Sequence, residues 1–142
     1  MRRRELFVGL AILSITCSTA SGAPAPAAPA SGRCFELRTY TAAPGKLDAL
    51  HARFRDHTLG FFKRHGMEVV GFWVPTDPEA GAGEKLIYLL AHKSRAAADA
   101  SWKAFRADPE WLAARKASEV NGPLTSKVES VFLGPADYSP MK

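Results

Sequence analysis

The stretch that decides the fold runs from Cys34 to Trp73: CFELRTYTAAPGKLDALHARFRDHTLGFFKRHGMEVVGFW. Its first nine residues, Cys34 to Ala42, alternate in character, with Phe35, Leu37 and Thr39 on one side and Glu36, Arg38 and Tyr40 on the other, the period of a half-buried strand. Ala43-Pro44-Gly45 breaks that strand. Leu47, Leu50, Phe54, Thr58, Phe61 and Phe62 then recur at helical spacing, while Asp48, Arg53, Arg55 and Lys63 fall largely off the stripe. An amphipathic helix is therefore expected over Lys46 to His65, with Gly66 at its left-handed end. Met67 to Pro75 is rich in β-branched and aromatic residues and is predicted as a central strand with both faces covered.

Working downstream, Thr76 to Gly83 carries Asp77-Pro78 and two glycines and reads as a hairpin loop, and Lys85 to His92 as a third strand. Ser94 is a good N-cap for a helix from Arg95, and Ala96 to Ala98 have the highest helix propensity. Pro109 cannot continue a helix, so Asp108-Pro109 is expected to start a second segment, with Trp102, Phe105, Trp111 and Leu112 anchoring both pieces on the sheet. Asn121-Gly122-Pro123 ends the helices and Ser126 to Leu133 forms a fourth strand. The order strand, helix, two strands, helix, strand describes an α+β, ferredoxin-like βαββαβ fold with an antiparallel sheet, helices on one face and the other face open. Arg38, Tyr40, Trp73 or Phe72, and Tyr88 are assigned to the open face, which is too aromatic to leave in water, so burial in a homodimer is expected. A slip of one residue would exchange the two faces.

Working upstream, Met1 to Glu5 carries three arginines, Leu6 to Ile15 is almost wholly apolar, and small residues follow, the layout of a secretory signal over residues 1–20. The apolar run is shorter than the ~20 residues of a membrane span, so export and cleavage are expected, with an uncleaved membrane anchor as the alternative. Residues 21–33 form a Pro/Ala-rich spacer before a domain at 34–140. The exported product is expected to reside in a periplasm or be secreted, without membrane contact after cleavage. Only Cys34 remains in it, so no internal disulfide forms. The 142 residues, 46% hydrophobic and 23% charged, suit one globular domain. The formal charge of +5 includes Arg2, Arg3, Arg4 and Glu5, and elsewhere bases and acids are interspersed, which argues against nucleic-acid binding.

FELRTYTAAPGKLDALHARFRDHTLGFFKRHGMEVVGFW, EKLIYLLAHKS and FRADPEW together resemble the NIPSNAP family, from Cys34 to about Pro140. The most specific pieces are Glu36-Leu37-Arg38-Thr39-Tyr40 followed by Pro44-Gly45-Lys46, then His65-Gly66 before Gly71-Phe72-Trp73, and Asp108-Pro109-Glu110-Trp111. The resemblance implies a dimeric α/β barrel, in which two ferredoxin-like subunits pair through open sheet faces around a cavity. The superfamily includes cofactor-free monooxygenases, isomerases and haem-using enzymes, but the family brings no common reaction and no agreed catalytic set. Its eukaryotic members are linked to mitochondria and organelle quality control, a role that a short domain behind an export signal does not inherit.

The candidate ligand-binding residues are Glu36, Arg38, Tyr40, His57, Trp73 and Tyr88. Glu36, Arg38 and Tyr40 share a strand face and offer a carboxylate, an anion-binding guanidinium and a phenol, the alternative being an Arg-Glu pair that satisfies itself. His51, His57 and His65 lack the i, i+4 spacing of a helical metal site, so no metal and no cofactor are expected. His92 is the histidine placed to look into the open face, where haem ligation would rest on fold analogy alone. No phosphate loop, nucleophile elbow or CxxC motif is present. The function expected is a small-molecule-binding or protein-interaction module for a hydrophobic or amphipathic partner. The alternative is a cofactor-independent monooxygenase or isomerase acting on an activated aromatic or hydrophobic substrate, with Arg38 orienting an oxyanion and Tyr40 or His57 moving a proton.

Overall fold

The computed structural model describes residues 32–142, so the expected signal and most of the spacer lie outside the described residues. Strands β1 (Cys34–Ala42), β2 (Glu68–Trp73), β3 (Lys85–His92) and β4 (Thr125–Leu133) form one sheet in the order β2-β3-β1-β4. Every neighbouring pair is antiparallel, with Arg38 opposite both Tyr88 and Ser130. The α+β, ferredoxin-like βαββαβ arrangement expected from the sequence is present. Helices α1 (Leu47–Arg53) and α2 (Leu59–Arg64) make one rod joined by a π-helical turn over Phe54–Thr58, and α3 (Arg95–Ala107) and α4 (Pro109–Ser118) make the second layer element.

The local rules act where the sequence placed them. Gly66 adopts a φ of 71° at the end of the first rod, a conformation that glycine takes without steric cost. The Ser94 hydroxyl accepts from the Ala97 N–H at 3.1 Å, and the Asp108 carboxylate accepts from the Glu110 and Trp111 N–H groups, which lets Pro109 open α4. Between β2 and β3 the chain makes a 3-10 turn at Pro78–Ala80 closed by left-handed Gly81. Leu50, Phe54, Phe62, Trp102, Phe105 and Trp111 bury the helical faces against Leu86, Tyr88 and Leu90 of β3. Their rings meet edge-on or tilted, as in Phe54–Tyr88 at 5.4 Å and Phe62–Trp102 at 5.7 Å.

Four expectations are corrected. β2 is an edge strand rather than a central one, with Phe72 packed against Phe54 on the helix side and Trp73 half exposed on the other. Leu112, expected to anchor on the sheet, is 48% exposed on the outside of α4. Arg53, placed off the apolar stripe, is buried on the flank of that stripe, where it pairs with Glu119. The two faces of the sheet are also exchanged: Glu36, Arg38, Tyr40 and Tyr88 lie beneath the helices, and Leu37 and Thr39 face outward with Ile87, Leu89, Trp73, Val131 and Leu133. Both sides of β1 carry bulky residues, so alternation defines two faces without saying which is inside. The buried polar side is tolerated because β3, β4 and α3 supply it with hydrogen bonds.

The Tyr88 hydroxyl is buried without a hydrogen-bond partner among the described residues. Tyr88→Phe should therefore leave stability unchanged or raise it by about 1 kcal/mol, whereas Phe62→Ala, which opens a cavity at the ring cluster, should cost about 3–5 kcal/mol. Urea unfolding of the two variants checks both signs.

Candidate functional site

Glu36 organises the space between the sheet and the helices. Its side chain is 1% exposed, and both carboxylate oxygens are saturated by four donors. Oε1 accepts from Arg38 Nη1 at 2.6 Å and Ser130 Oγ at 2.6 Å, while Oε2 accepts from Trp102 Nε1 at 2.6 Å and faces His92 Nε2 at 3.1 Å. Burial alone would push this carboxyl up, but the hydrogen bonds from His92, Ser130, Trp102 and Arg38 outweigh it and hold the group at about 2. So weak a base, with its oxygens occupied, anchors structure and is poorly suited to taking a proton near neutrality.

Arg38 is thereby held flat, its guanidinium 4.3 Å from the Trp102 ring centroid and 5.5 Å from that of Tyr40, with Nη2 3.4 Å from the Tyr40 hydroxyl. The self-satisfying Arg-Glu pair considered from the sequence does form, yet it leaves Arg38 Nε buried and unpartnered among the described residues. Burial pushes the Tyr88 phenol well above its ordinary value, so Tyr88 stays neutral.

Beside this network a cleft of about 190 Å³ opens between β4 and the helices α3 and α4. Arg38 and Tyr40 form its floor, Trp102, Phe105 and Trp111 one wall, and Thr125 and Val128 of the edge strand the other. Buried Arg53 also lines it, and Arg106 and Arg115 rim it together with Glu119. An inner space of about 30 Å³ shares its Tyr40, Arg53, Phe105 and Trp111 lining and is also bounded by Phe54, Thr58 and Phe62. Arg53 immediately precedes the π-turn, and the Thr58 hydroxyl at the far end of that turn donates to the Arg53 carbonyl at 3.2 Å. The Arg53 Nη1 donates to Glu119 at 2.7 Å, and its Nε, like that of Arg38, is buried without a partner among the described residues. Each such unpaired donor costs about 1–3 kcal/mol until an acceptor meets it.

Of the sequence candidates, Glu36, Arg38, Tyr40 and Tyr88 are brought together, but under the helices rather than on the open face. His57 is exposed on the outer side of the π-turn, away from them. Trp73 is 52% exposed near β2's end and lines a separate apolar groove with His51, Leu59 and Val74. His92 does not look into the open face; it is buried against Glu36. Arg53, Trp102 and Arg115 were missed as site residues. The signal for Arg53 was its place three residues after Leu50, on the flank of the buried stripe. Among the described residues no group of three or more His, Cys, Asp or Glu is placed to hold a metal ion, and no helix is long and apolar enough to cross a membrane.

A ferredoxin-like α+β domain with a cleft between sheet and helices is the class that fold and site define. The family model for NIPSNAP matches residues 35–140, and the chain belongs to the NIPSNAP family. It is similar to a NIPSNAP domain protein from Burkholderia xenovorans, with 26% identity over 75% of this chain and 98% of that one and a TM-score of 0.64. A NIPSNAP family protein from Agrobacterium tumefaciens shares its fold at 23% identity, with a TM-score of 0.66 over 79% of this chain and 96% of that one. No curated protein matches the chain.

The Glu36 network makes stability depend on acid. The folded carboxyl titrates at about 2 against 4.5 in its ordinary state, so the stabilisation is complete above the ordinary value and lost as pH falls from there toward 2. The shift corresponds to roughly 3 kcal/mol. Glu36→Gln, which also strands Arg38, should cost about 3–5 kcal/mol at neutral pH and flatten the loss of melting temperature on acidification. Thermal unfolding from pH 7 to 3 checks this.

Proposed function

We propose that this NIPSNAP protein is an exported homodimer that binds a small amphipathic molecule in the cleft beside Glu36 and Arg38. The observation that carries the reading is the cleft itself: it combines aromatic walls with two guanidinium groups, of Arg38 and Arg53, whose Nε atoms are each buried and without a partner among the described residues. Ligand sites have this character, mostly apolar with a few convergent polar groups. Binding is favoured over proton-transfer chemistry because Glu36 is held at about 2, Tyr88 is kept neutral and His57 is exposed elsewhere.

Dimerisation is argued from the open sheet face. Leu37, Ile87, Leu89, Val131, Leu133 and Trp73 form a contiguous apolar surface, with the Trp73 indole lying over Gly71, where an added Cβ would meet it at 2.7 Å. A second copy covers such a face by two-fold symmetry. Export rests on the basic, apolar and small-residue succession of residues 1–20.

Native mass spectrometry of the protein purified from the exported fraction tests all three parts. The expected result is a dimer of chains lacking residues 1–20, carrying a retained small mass. Leu89→Arg, which puts a charge in the middle of the open face, should convert it to monomer at micromolar concentration. A wild-type monomer would overturn the dimer, and an intact N-terminus would overturn cleavage. A protein that neither retains a mass nor binds any member of a fragment set would overturn the binding reading.

A further inference from the structure

We infer that the cleft is built for a small aromatic acid, a one-ring molecule bearing a carboxylate. The inference rests on the small-molecule-binding reading above and adds the chemical class. The sign of the ligand's charge follows from the lining. Arg38, Arg53, Arg106 and Arg115 converge on the cleft, against Glu119 at the rim and Glu36 behind Arg38. Glu119 is shared between Arg53 and Arg115, at 2.7 and 3.3 Å, and Arg106 has no ion-pair partner among the described residues. The cations therefore exceed what the protein's own carboxylates neutralise, and a ligand anion completes the set. Arg53 marks where its head group sits: the residue is 6% exposed, lines both the cleft and the inner space, and spends only Nη1 on hydrogen bonds to described residues.

The body of the ligand follows from the walls. Phe105 and Trp111 lie 4.5 Å apart at 35°, Trp102 stands perpendicular to Phe105, and Tyr40 faces them from the sheet. Flat walls at fixed angles favour a flat, rigid ligand, which stacks on them and loses no chain rotamers on binding. About 190 Å³ is the liquid volume of roughly six waters, the scale of a single substituted ring.

Calorimetry on the full folded protein with four probes tests the assignment: benzoate, phenylacetate, benzyl alcohol and octanoate. The acids with a ring should bind at least about tenfold more tightly than benzyl alcohol or octanoate, and more weakly as salt rises. Glu119→Gln removes the carboxylate charge shared by Arg53 and Arg115 and should tighten benzoate by about threefold to tenfold, a gain that a purely structural role for Glu119 would not produce. Should that variant fail to fold, Arg106→Ala, a change at an exposed side chain, should still weaken benzoate about twofold to fivefold. Benzyl alcohol or octanoate binding as tightly as benzoate would overturn the aromatic-acid class while leaving small-molecule binding intact. Binding of none of the four would also overturn the class; a mass retained in the native spectrum would then preserve the broader reading, and its absence would remove both.

Discussion

Burying one carboxylate governs the interior of this domain. Unpaired, a buried carboxylate would be severely destabilising, so Glu36 requires donors at defined positions on every element around it. It obtains them from Arg38 on its own strand, Ser130 on β4, His92 on β3 and Trp102 on α3. The same four contacts fix which side of β1 faces the helices and tie α3 to three strands at once. They also lay the Arg38 guanidinium against Trp102, forming the floor of the cleft. A carboxylate so completely engaged acts as a keystone for positively charged and aromatic neighbours.

A second local irregularity builds the rest of the site. Arg53 and Phe54 are adjacent residues where the α-helix passes into a π-turn. The π-turn beginning at Phe54 widens the helix there, and both are buried, Arg53 toward the cleft and Phe54 among Tyr40, Phe62, Phe72 and Tyr88. The Thr58 hydroxyl donates to the Arg53 carbonyl across the turn. The packed face and the polar cleft thus meet along a single helical rod.

The sheet divides its two faces between different tasks. Beneath the helices lie the charged and phenolic side chains, Glu36 fully partnered while Arg38 Nε and the Tyr88 hydroxyl have no partner among the described residues; outside lie Leu37, Ile87, Leu89, Val131 and Trp73, with Thr39 and Glu129 among them. On the helix side, hydrogen-bond geometry limits what can be substituted. On the outer face apolar area dominates, and many residues supply that equally well. The likeness to NIPSNAP proteins of Burkholderia and Agrobacterium extends over the whole domain, which is where this layering resides.

The order of strands and helices, the Ser94 and Asp108 caps, the break at Pro109 and the left-handed Gly66 were legible in the sequence because each depends on residues within one or two turns. The grouping of Glu36, Arg38 and Tyr40 was legible for the same reason, since strand alternation is local. Which face of β1 turns inward was not, because the choice depends on Trp102 and Ser130, 66 and 94 residues away. The edge position of β2 and the burial of Arg53 were hidden likewise, since pairing partners, a widened helical turn and a carboxylate at Glu119 are brought together only by folding. The chain's local chemistry determined the elements and the residue types available. Tertiary packing decided which of those residues share a dry interior, because desolvation and hydrogen bonding act between neighbours in space rather than in sequence.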